Sequence, residues 1–205
     1  MKLVKAARKT GVLVAAAAAA VTMWSGSSAR AATDTWGSIE PVSADFSILG
    51  AGPECLALNG SDGYYNDHTR VIQWQCTGND DQQWETRLVG TSSFYGRYVY
   101  QVVNKKSGKC LEPRYNLHSN GTLIDQITCV NITGVNGIYN APAQAWTISY
   151  SGYGQQHQLA PFFDTAACLD VDSGLPYNGT KVQLWDCHGG DNQHFVGAPL
   201  DFLSS

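Results

Sequence analysis

The sequence predicts an all-β protein that contains three copies of one structural unit. Its six cysteines fall into three pairs of nearly equal internal spacing, at positions 55 and 76, 110 and 129, and 168 and 187. The pairs recur at nearly equal intervals and a Gln-x-aromatic triplet follows each, which indicates a threefold internal repeat. No long stripe of apolar residues at helical spacing occurs after Ala31, so we expect helix only in single turns.

Each repeat has the same elements in the same order. The first cysteine and the leucine after it begin a short strand, and a polar, turn-rich loop follows. A strand with alternating β-branched residues ends at the second cysteine, and the Gln-x-aromatic triplet opens the last strand. Three insertions rich in Gly, Asn, Ser or Tyr are predicted to be surface loops: residues 86–99, 131–143 and 151–156.

The composition agrees with a turn-rich β protein. Charged residues make up 15% of the 205 residues and hydrophobic residues 43%, with 21 Gly, 6 Trp and 10 Tyr. This length suits one domain or at most two, with enough apolar residues for one compact core.

The segment from Met1 to Ala31 is predicted to be a secretory signal. A basic start over residues 1–9 precedes an apolar, alanine-rich run from Val12 to Trp24, and Ala29-Arg30-Ala31 is an A-x-A cleavage site. The apolar run is shorter than the roughly 20 residues that span a bilayer. We therefore expect cleavage after Ala31, a bacterial origin, and a soluble, secreted, extracellular protein without a membrane span.

The charge changes once this signal is set aside. Five of the 13 Lys and Arg precede Ala31, whereas all 17 Asp and Glu follow it, so the remaining chain has 8 basic and 17 acidic residues. A chain this acidic repels a phosphate backbone, and nucleic acid is not an expected partner.

Cysteines in an exported chain predict disulfides, although six cysteines allow 15 pairings. If each pair closes locally, a loop of about twenty residues contributes roughly 3 kcal/mol on the chain-entropy model. A zinc site requires close C-x-x-C pairs, which are absent, and no two of the 5 His have metal-ligand spacing. We expect no metal and no cofactor.

Four motifs of the third repeat carry a specific resemblance. Cys-Leu-Asp-Val, Asn-Gly-Thr, Val-Gln-Leu-Trp-Asp-Cys and Asn-Gln-x-Phe lie between residues 168 and 195. With the three Gln-x-aromatic triplets, they resemble the ricin-type lectin repeat, whose family includes the family 13 carbohydrate-binding modules. The resemblance implies a β-trefoil of three repeats with four strands each.

The implied organisation is a signal at 1–31, an N-terminal segment at 32–44 and a ricin-type domain at 45–205, with repeats at about 45–90, 97–150 and 157–205. With the repeat in this register, we predict that all three disulfides are local. The expected bridges are Cys55–Cys76, Cys110–Cys129 and Cys168–Cys187.

The Gln-x-aromatic triplets have a structural role in that family. A buried Gln can bond backbone groups that a short curved strand leaves unpaired, and the ring fills the shared core. The residues assigned this role are Gln82 and Trp84, Gln144 and Trp146, and Gln193 and Phe195.

Sugar recognition requires an aromatic face for the apolar side of a pyranose, together with a carboxylate and amides for its hydroxyls. By resemblance, the third repeat has the binding carboxylate, Asp170, and the stacking ring, Trp185. The accompanying polar positions are Gln183, His188 and Asn192. The alternative is that Asp170 only caps a turn and Trp185 is a core residue.

The first and second repeats depart from this pattern. In the first, Ala57 and Ile72 replace the carboxylate and the Gln, although Trp74 and Asp81 remain. In the second, Glu112 replaces the Asp, but Ile127 and Ala143 replace the ring and the Asn, unless Tyr139 from the insertion substitutes. Trp74, Asp81 and Glu112 therefore belong to predicted degenerate sites.

The resemblance implies a monomeric, non-catalytic lectin for galactose-type or xylan-type glycans. Alternatives are a protein-binding or inhibitory trefoil with a vestigial lectin pattern, or an accessory chain for a separate glycan-acting enzyme or toxin. No G-x-S-x-G, H-E-x-x-H or phosphate-binding loop is present. Asp170 and Asp172 are too close in sequence to bracket a glycosidic bond, so an enzyme is not expected.

Overall fold

The computed structural model describes residues 36–44, 52–92, 96–132, 138–152 and 155–201. The predicted signal at 1–31 lies outside them. The described residues contain twelve strands, β1 to β12 in chain order: Glu40–Pro41, Glu54–Leu58, Thr69–Gln75, Trp84–Ser92, Arg97–Asn104, Cys110–Pro113, Ile124–Ile127, Trp146–Tyr150, His157–Pro161, Ala167–Val171, Val182–Asp186 and Phe195–Val196.

Helix is confined to short segments in these ranges, as predicted. A four-residue α-helix spans Ala198–Asp201, and none of the described helices is long and apolar enough to cross a membrane. The 3-10 turns are Val42–Ala44, Gly60–Asp62, Asp80–Gln82, Arg114–Asn116, Pro142–Gln144, Asp172–Gly174 and Asp191–Gln193.

The twelve strands form three four-stranded repeats, which is the architecture of a β-trefoil. In each repeat the second and third strands form a hairpin: β2 with β3, β6 with β7, and β10 with β11. The first and fourth strands join a shared barrel through the pairs β12–β1, β12–β9, β9–β8, β8–β5 and β5–β4. The predicted all-β trefoil is confirmed.

The barrel register repeats around the pseudo-threefold axis. The aromatic residue of each Gln-x-aromatic triplet opens the fourth strand, where Trp84 faces Asn104, Trp146 faces Pro161 and Phe195 faces Pro41. Pro41 lies in the segment 32–44, so the predicted domain start at residue 45 is corrected: β1 is the first strand of the first repeat. Two residues form this strand, which is too short for an alternating pattern to reveal it.

The core is formed where the three repeats meet. Trp84, Trp146 and Phe195 are fully buried in one apolar cluster. Each indole N–H donates to a backbone carbonyl, Trp84 to Leu56 (2.8 Å) and Trp146 to Leu111 (3.0 Å). Burial of an indole requires such a partner, whereas the phenyl ring of Phe195 requires none.

Each disulfide closes within its own repeat, as predicted: Cys55–Cys76, Cys110–Cys129 and Cys168–Cys187. The bridges tie the start of each hairpin to its end.

A hydrogen bond joins each hairpin to the next repeat. The side-chain oxygen of Asn178 accepts from the Gln75 N–H (2.6 Å), and that of Asn120 accepts from the Asp186 N–H (2.8 Å). In the first repeat the Asp67 carboxylate accepts from the Thr128 N–H (2.8 Å). These bonds hold the three hairpins in a ring at one end of the barrel.

Two of the three predicted surface loops contain ordered structure. Most of 86–99 extends the antiparallel hairpin of β4 and β5, which pair from Trp84 with Asn104 to Ser92 with Arg97. In the insertion 131–143, Ile132 and Ile138 are buried in a second apolar cluster. The prediction of a loop was wrong for most of 86–99, where glycine and polar residues hid the strand pattern. In 131–143 the prediction of a surface position was wrong for Ile132 and Ile138.

Candidate functional site

The third repeat contains an open cleft of about 190 Å³. Its walls come from the hairpin β10–β11, the 3-10 turn that follows β10, and the 3-10 turn that precedes β12. The lining residues are Asp170, Asp172, Ser173, Gln183, Trp185, His188 and Asn192.

The hairpin register places the two central side chains. Asp170 lies opposite Gln183, and Trp185 lies opposite Cys168, next to the disulfide. Trp185 is near the end of β11, where the burial pattern changes from buried to exposed, and 41% of its surface is accessible. The alternative that Trp185 is a core residue is therefore wrong.

Asp170 is 2% exposed, and amide groups surround its carboxylate. Oδ1 accepts from Gln183 Nε2 (3.1 Å), while Oδ2 accepts from Asn192 Nδ2 (2.8 Å) and Gln193 Nε2 (3.0 Å). Three neutral donors fix the orientation of the carboxylate without neutralising it. It is therefore a preorganised acceptor at the base of the cleft.

Burial raises the pKa of Asp170 above its ordinary value of 3.8, because removal from water disfavours the ionised form. Hydrogen bonds from Gln183 and Gln193 act in the opposite direction. His188 Nε2 lies 3.5 Å from Asp170 Oδ2, and His188 Nδ1 accepts from the Gly190 N–H (3.1 Å). The histidine ring thus stands at the rim beside the carboxylate.

The five residues assigned to the site from the sequence all line this cleft. Sequence reasoning left out Asp172 and Ser173, which lie in the turn after β10. Asp172 Oδ1 accepts from Gln183 Nε2 (3.3 Å), so one amide contacts both carboxylates. Ser173 has a left-handed backbone (φ 58°), which is uncommon for residues other than glycine. The sequence alone does not reveal this conformation, so it could not place Ser173 in the cleft.

Gln193 has a second role beyond the structural one assigned to it. Its side chain accepts from the His188 N–H (2.8 Å) and donates to the Asp186 carbonyl (3.0 Å), as a structural Gln does. The same amide nitrogen also contacts Asp170. The triplet of this repeat therefore connects the core to the cleft.

The other two triplets show the same backbone contacts. Gln82 accepts from the Thr77 N–H (2.6 Å) and donates to the Gln75 carbonyl (2.8 Å). Gln144 accepts from the Val130 N–H (2.9 Å) and donates to the Thr128 carbonyl (3.1 Å).

The first repeat has a ring but an apolar base at the corresponding position. Trp74 lies opposite Cys55 and is 43% exposed, nearly as much as Trp185. Ala57 and Ile72, both buried, replace the carboxylate and amide. Asp81 Oδ1 lies 3.9 Å from Lys106 Nζ.

In the second repeat the corresponding polar groups contact one another. Glu112 lies opposite Asp125, and Gln144 Nε2 donates to Glu112 Oε2 (3.2 Å). Asp125 is 1% exposed and pairs with Arg114 through Nε (2.6 Å) and Nη2 (2.8 Å). This bidentate ion pair occupies both carboxylate oxygens of Asp125.

Glu40 lies close to Cys55 and Cys76. Both sulfurs belong to a disulfide, so they provide no thiolate for a metal ion.

Solved structures of low sequence identity share the fold. The designed threefold symmetric protein ThreeFoil is 21% identical with a TM-score of 0.63, covering 80% of this chain and 97% of that chain. An exo-β-1,3-galactanase from Clostridium thermocellum gives the same identity, TM-score and coverage of this chain, but only 30% of that chain is covered. A Macrolepiota procera ricin B-like lectin in complex with lactose is 18% identical, with a TM-score of 0.57 and coverage of 80% and 94%.

No curated protein matches the sequence significantly. Two family models do match it. The model of the ricin-type beta-trefoil lectin domain matches residues 98–199, and that of the ricin-type beta-trefoil lectin domain-like family matches residues 50–127. Together they span the three hairpins and the cleft, and the chain belongs to the ricin-type β-trefoil lectin family.

Proposed function

We propose that the cleft of the third repeat binds one pyranose unit of a glycan and that the protein is a carbohydrate-binding lectin. The observation that carries this proposal is the position of exposed Trp185 beside the buried, fixed carboxylate of Asp170. An indole face stacks on the C–H side of a sugar ring, and a carboxylate accepts from its hydroxyls.

The amides of the cleft extend this chemistry. The Oε1 atom of Gln183 is buried and has no hydrogen-bond partner within the described part of the chain. A buried acceptor of this kind costs stability until a donor reaches it. A sugar hydroxyl that reaches Gln183 Oε1 would provide that donor.

The arrangement supports binding rather than hydrolysis. A glycosidase places two carboxyl groups on either side of the scissile bond. Here Asp170 and Asp172 both accept from the same Gln183 amide, so they lie on one wall of the cleft. We therefore propose a non-catalytic role, with galactose-type and xylan-type glycans as the sugars to test.

The lectin would act outside the cell. The basic start, apolar run and A-x-A site of residues 1–31 support export and cleavage after Ala31. Determination of the N-terminus of the secreted protein tests this cleavage; a mature chain that still begins at Met1 would contradict it.

Replacement of Trp185 by Ala should weaken sugar binding by up to about tenfold, because the stacking surface is lost. Trp74→Ala is the matched control: it removes an indole of nearly equal exposure from a repeat without the carboxylate. Titration calorimetry with galactose-type and xylan-type oligosaccharides measures both variants. Binding that survives loss of Trp185 but not of Trp74 would show that the first repeat holds the site.

Sugar affinity should fall in mildly acidic solution, with a midpoint above the ordinary Asp value of 3.8. As the pH falls through the raised pKa of Asp170, protonation removes the charged acceptor. The same protonation relieves the cost of burying this charge, so the contribution of Asp170 to folding stability improves as affinity declines. Calorimetry across pH measures the loss. An acid midpoint below 3.8 would contradict the assignment.

A further inference from the structure

The third repeat carries almost only negative charge. Residues 157–205 contain six Asp and one Lys, with no Glu and no Arg. Asp170 and Asp172 line the cleft, and two more acids, Asp186 and Asp191, adjoin residues that line it. A ligand that enters the cleft therefore meets a negative potential.

The cleft differs in this respect from the first two repeats, where four carboxylates are paired with cations at 2.6–2.9 Å. These pairs are Asp62–Arg70, Asp67–Lys109, Asp80–Lys105 and Asp125–Arg114. In the cleft, the donors to Asp170 are neutral amides. Asp172 Oδ2 lies 3.5 Å from Lys181 Nζ, which exceeds the length of about 2.7–2.9 Å that is typical of a charge-assisted hydrogen bond. The described protein groups thus leave the charge of the cleft largely uncancelled.

His188 does not supply the missing positive charge. Its Nδ1 accepts from the Gly190 N–H (3.1 Å), so this nitrogen carries no proton and the ring is neutral with its proton on Nε2. Nε2 lies 3.5 Å from Asp170 Oδ2. The histidine is therefore a neutral group at the rim.

The amide donors at the base of the cleft are already used. Gln183 Nε2 donates to Asp170 (3.1 Å) and to Asp172 (3.3 Å). Asn192 Nδ2 donates to Asp170 (2.8 Å) and to the Val171 carbonyl (3.1 Å). An amide NH₂ group has two hydrogens, so neither amide has a donor left for a ligand.

Acceptors, in contrast, remain open to a ligand. Gln183 Oε1 is buried and has no hydrogen-bond partner among the residues that the structure describes. The side chain of Asp172 is 36% exposed on the wall of the cleft. An ammonium group offers three donors and a hydroxyl offers one, whereas an ionised carboxylate offers only acceptors. Groups rich in donors therefore complement this cleft, and anionic groups do not.

We propose that the cleft selects its sugar by charge: it favours a pyranose that bears an ammonium group, takes neutral pyranoses and rejects uronic acids. Asp172 is the specificity-determining residue, because its carboxylate is accessible to the ligand and its one cationic neighbour in the described ranges is the distant, half-exposed Lys181. This inference rests on the proposed function and deepens it by naming the class of sugar.

A charge at any position of the bound ring lies within reach of these carboxylates. The Debye length is about 8 Å at physiological salt, and one pyranose held between Trp185 and Asp170 is smaller than this distance. An exposed ion pair changes affinity by about two- to fivefold. We expect one such step between the ammonium sugar and the neutral sugar, and a further step of at least this size between the neutral sugar and the uronic acid.

The test uses three methyl glycosides that differ only at C6, where galactose has a hydroxyl, the second sugar an amine and the third a carboxylate. The same three are used in the glucose configuration, which is that of the xylose ring in xylan. At about pH 7.5 the amine is protonated and the uronic acid ionised. Nuclear magnetic resonance titration of the whole protein, followed at the Trp185 indole, should rank affinity as ammonium, then neutral, then carboxylate. The differences should shrink when salt rises from about 20 mM to about 500 mM, because charge interactions are screened.

Two variants should shift the selectivity in opposite directions. Asp172→Asn should reduce the affinity ratio of ammonium sugar to uronic acid by about two- to fivefold, whereas Lys181→Gln should increase it. A ratio is measured, so a general loss of affinity cancels. Asp164→Asn is the matched control and should leave the ratio unchanged, because it removes an equally exposed acid of the same repeat that does not line the cleft. Thermal melting checks folding, and Lys181→Gln keeps the test valid if Asp172→Asn is unstable.

The outcomes separate this inference from the proposed function. If the uronic acid binds within twofold of the neutral sugar at low salt, selection by charge is overturned and the lectin site stands. A ranking that persists unchanged at high salt or in Asp172→Asn also overturns it, since shape rather than charge would then select the sugar. No binding by any of the six glycosides overturns both.

Discussion

Asp170→Ala should abolish measurable sugar binding. A monosaccharide of about 12 heavy atoms gains roughly −0.3 kcal/mol per atom, which gives a dissociation constant in the millimolar range. Loss of a hydrogen bond to a charged acceptor costs about 1.5–3 kcal/mol, or about ten- to 150-fold. The affinity of a weak site would then fall beyond detection by calorimetry.

The variant also affects the protein itself, because Asp170 is 2% exposed and accepts from Gln183, Asn192 and Gln193. Removal takes one acceptor from each of these amides, which costs about 1–3 kcal/mol of folding stability. Asp170→Asn keeps the shape of the side chain but presents an NH₂ group to neighbouring donors, so it should also lose binding.

Asp191→Ala is the matched control, since it removes an exposed acid next to Asn192 in the same repeat. Calorimetry at neutral pH should show wild-type affinity for this variant. If Asp170→Asn retains affinity within threefold of the wild type while folded, the carboxylate is not the sugar acceptor.

Repetition made the fold predictable from one sequence. Three cysteine pairs have the same register, and a Gln-x-aromatic triplet follows each of them. This one pattern predicts the hairpins, the local disulfides and the buried rings together, because each of the three depends on the same register. The first strand, Glu40–Pro41, was missed since so short a strand carries no periodicity. Its place is determined by pairing with Phe195, which belongs to the last strand of the third repeat.

The cleft was predictable in part for the same reason. Cross-strand neighbours in a hairpin follow from spacing, so Asp170, Gln183 and Trp185 could be placed together. The contribution of Asp172 and Ser173 depends on the left-handed turn after β10, which local sequence does not specify. The Tyr139–Phe163 pair joins an insertion of the second repeat to the turn after β9, a contact that only the folded barrel creates.

Trp84→Ala should destabilise the barrel strongly. The side chain is fully buried in the central cluster, and its indole N–H donates to the Leu56 carbonyl (2.8 Å). Replacement of a buried Trp by Ala typically costs about 3–5 kcal/mol through lost burial and the cavity that remains. Since small domains are stable by about 5–15 kcal/mol, this removes a large share of the total.

The pseudo-threefold axis provides an internal control for this prediction. Phe195 fills the counterpart position with a phenyl ring and is equally buried, so Trp84→Phe should cost clearly less than Trp84→Ala. Trp185→Ala removes a ring that is 41% exposed and should change the free energy of unfolding by no more than about 0.5 kcal/mol. Denaturant unfolding of the disulfide-intact protein measures all three. Equal losses of unfolding free energy for Trp84→Ala and Trp185→Ala would contradict this prediction. The buried indole of Trp84 would then stabilise the barrel no more than the exposed indole of Trp185.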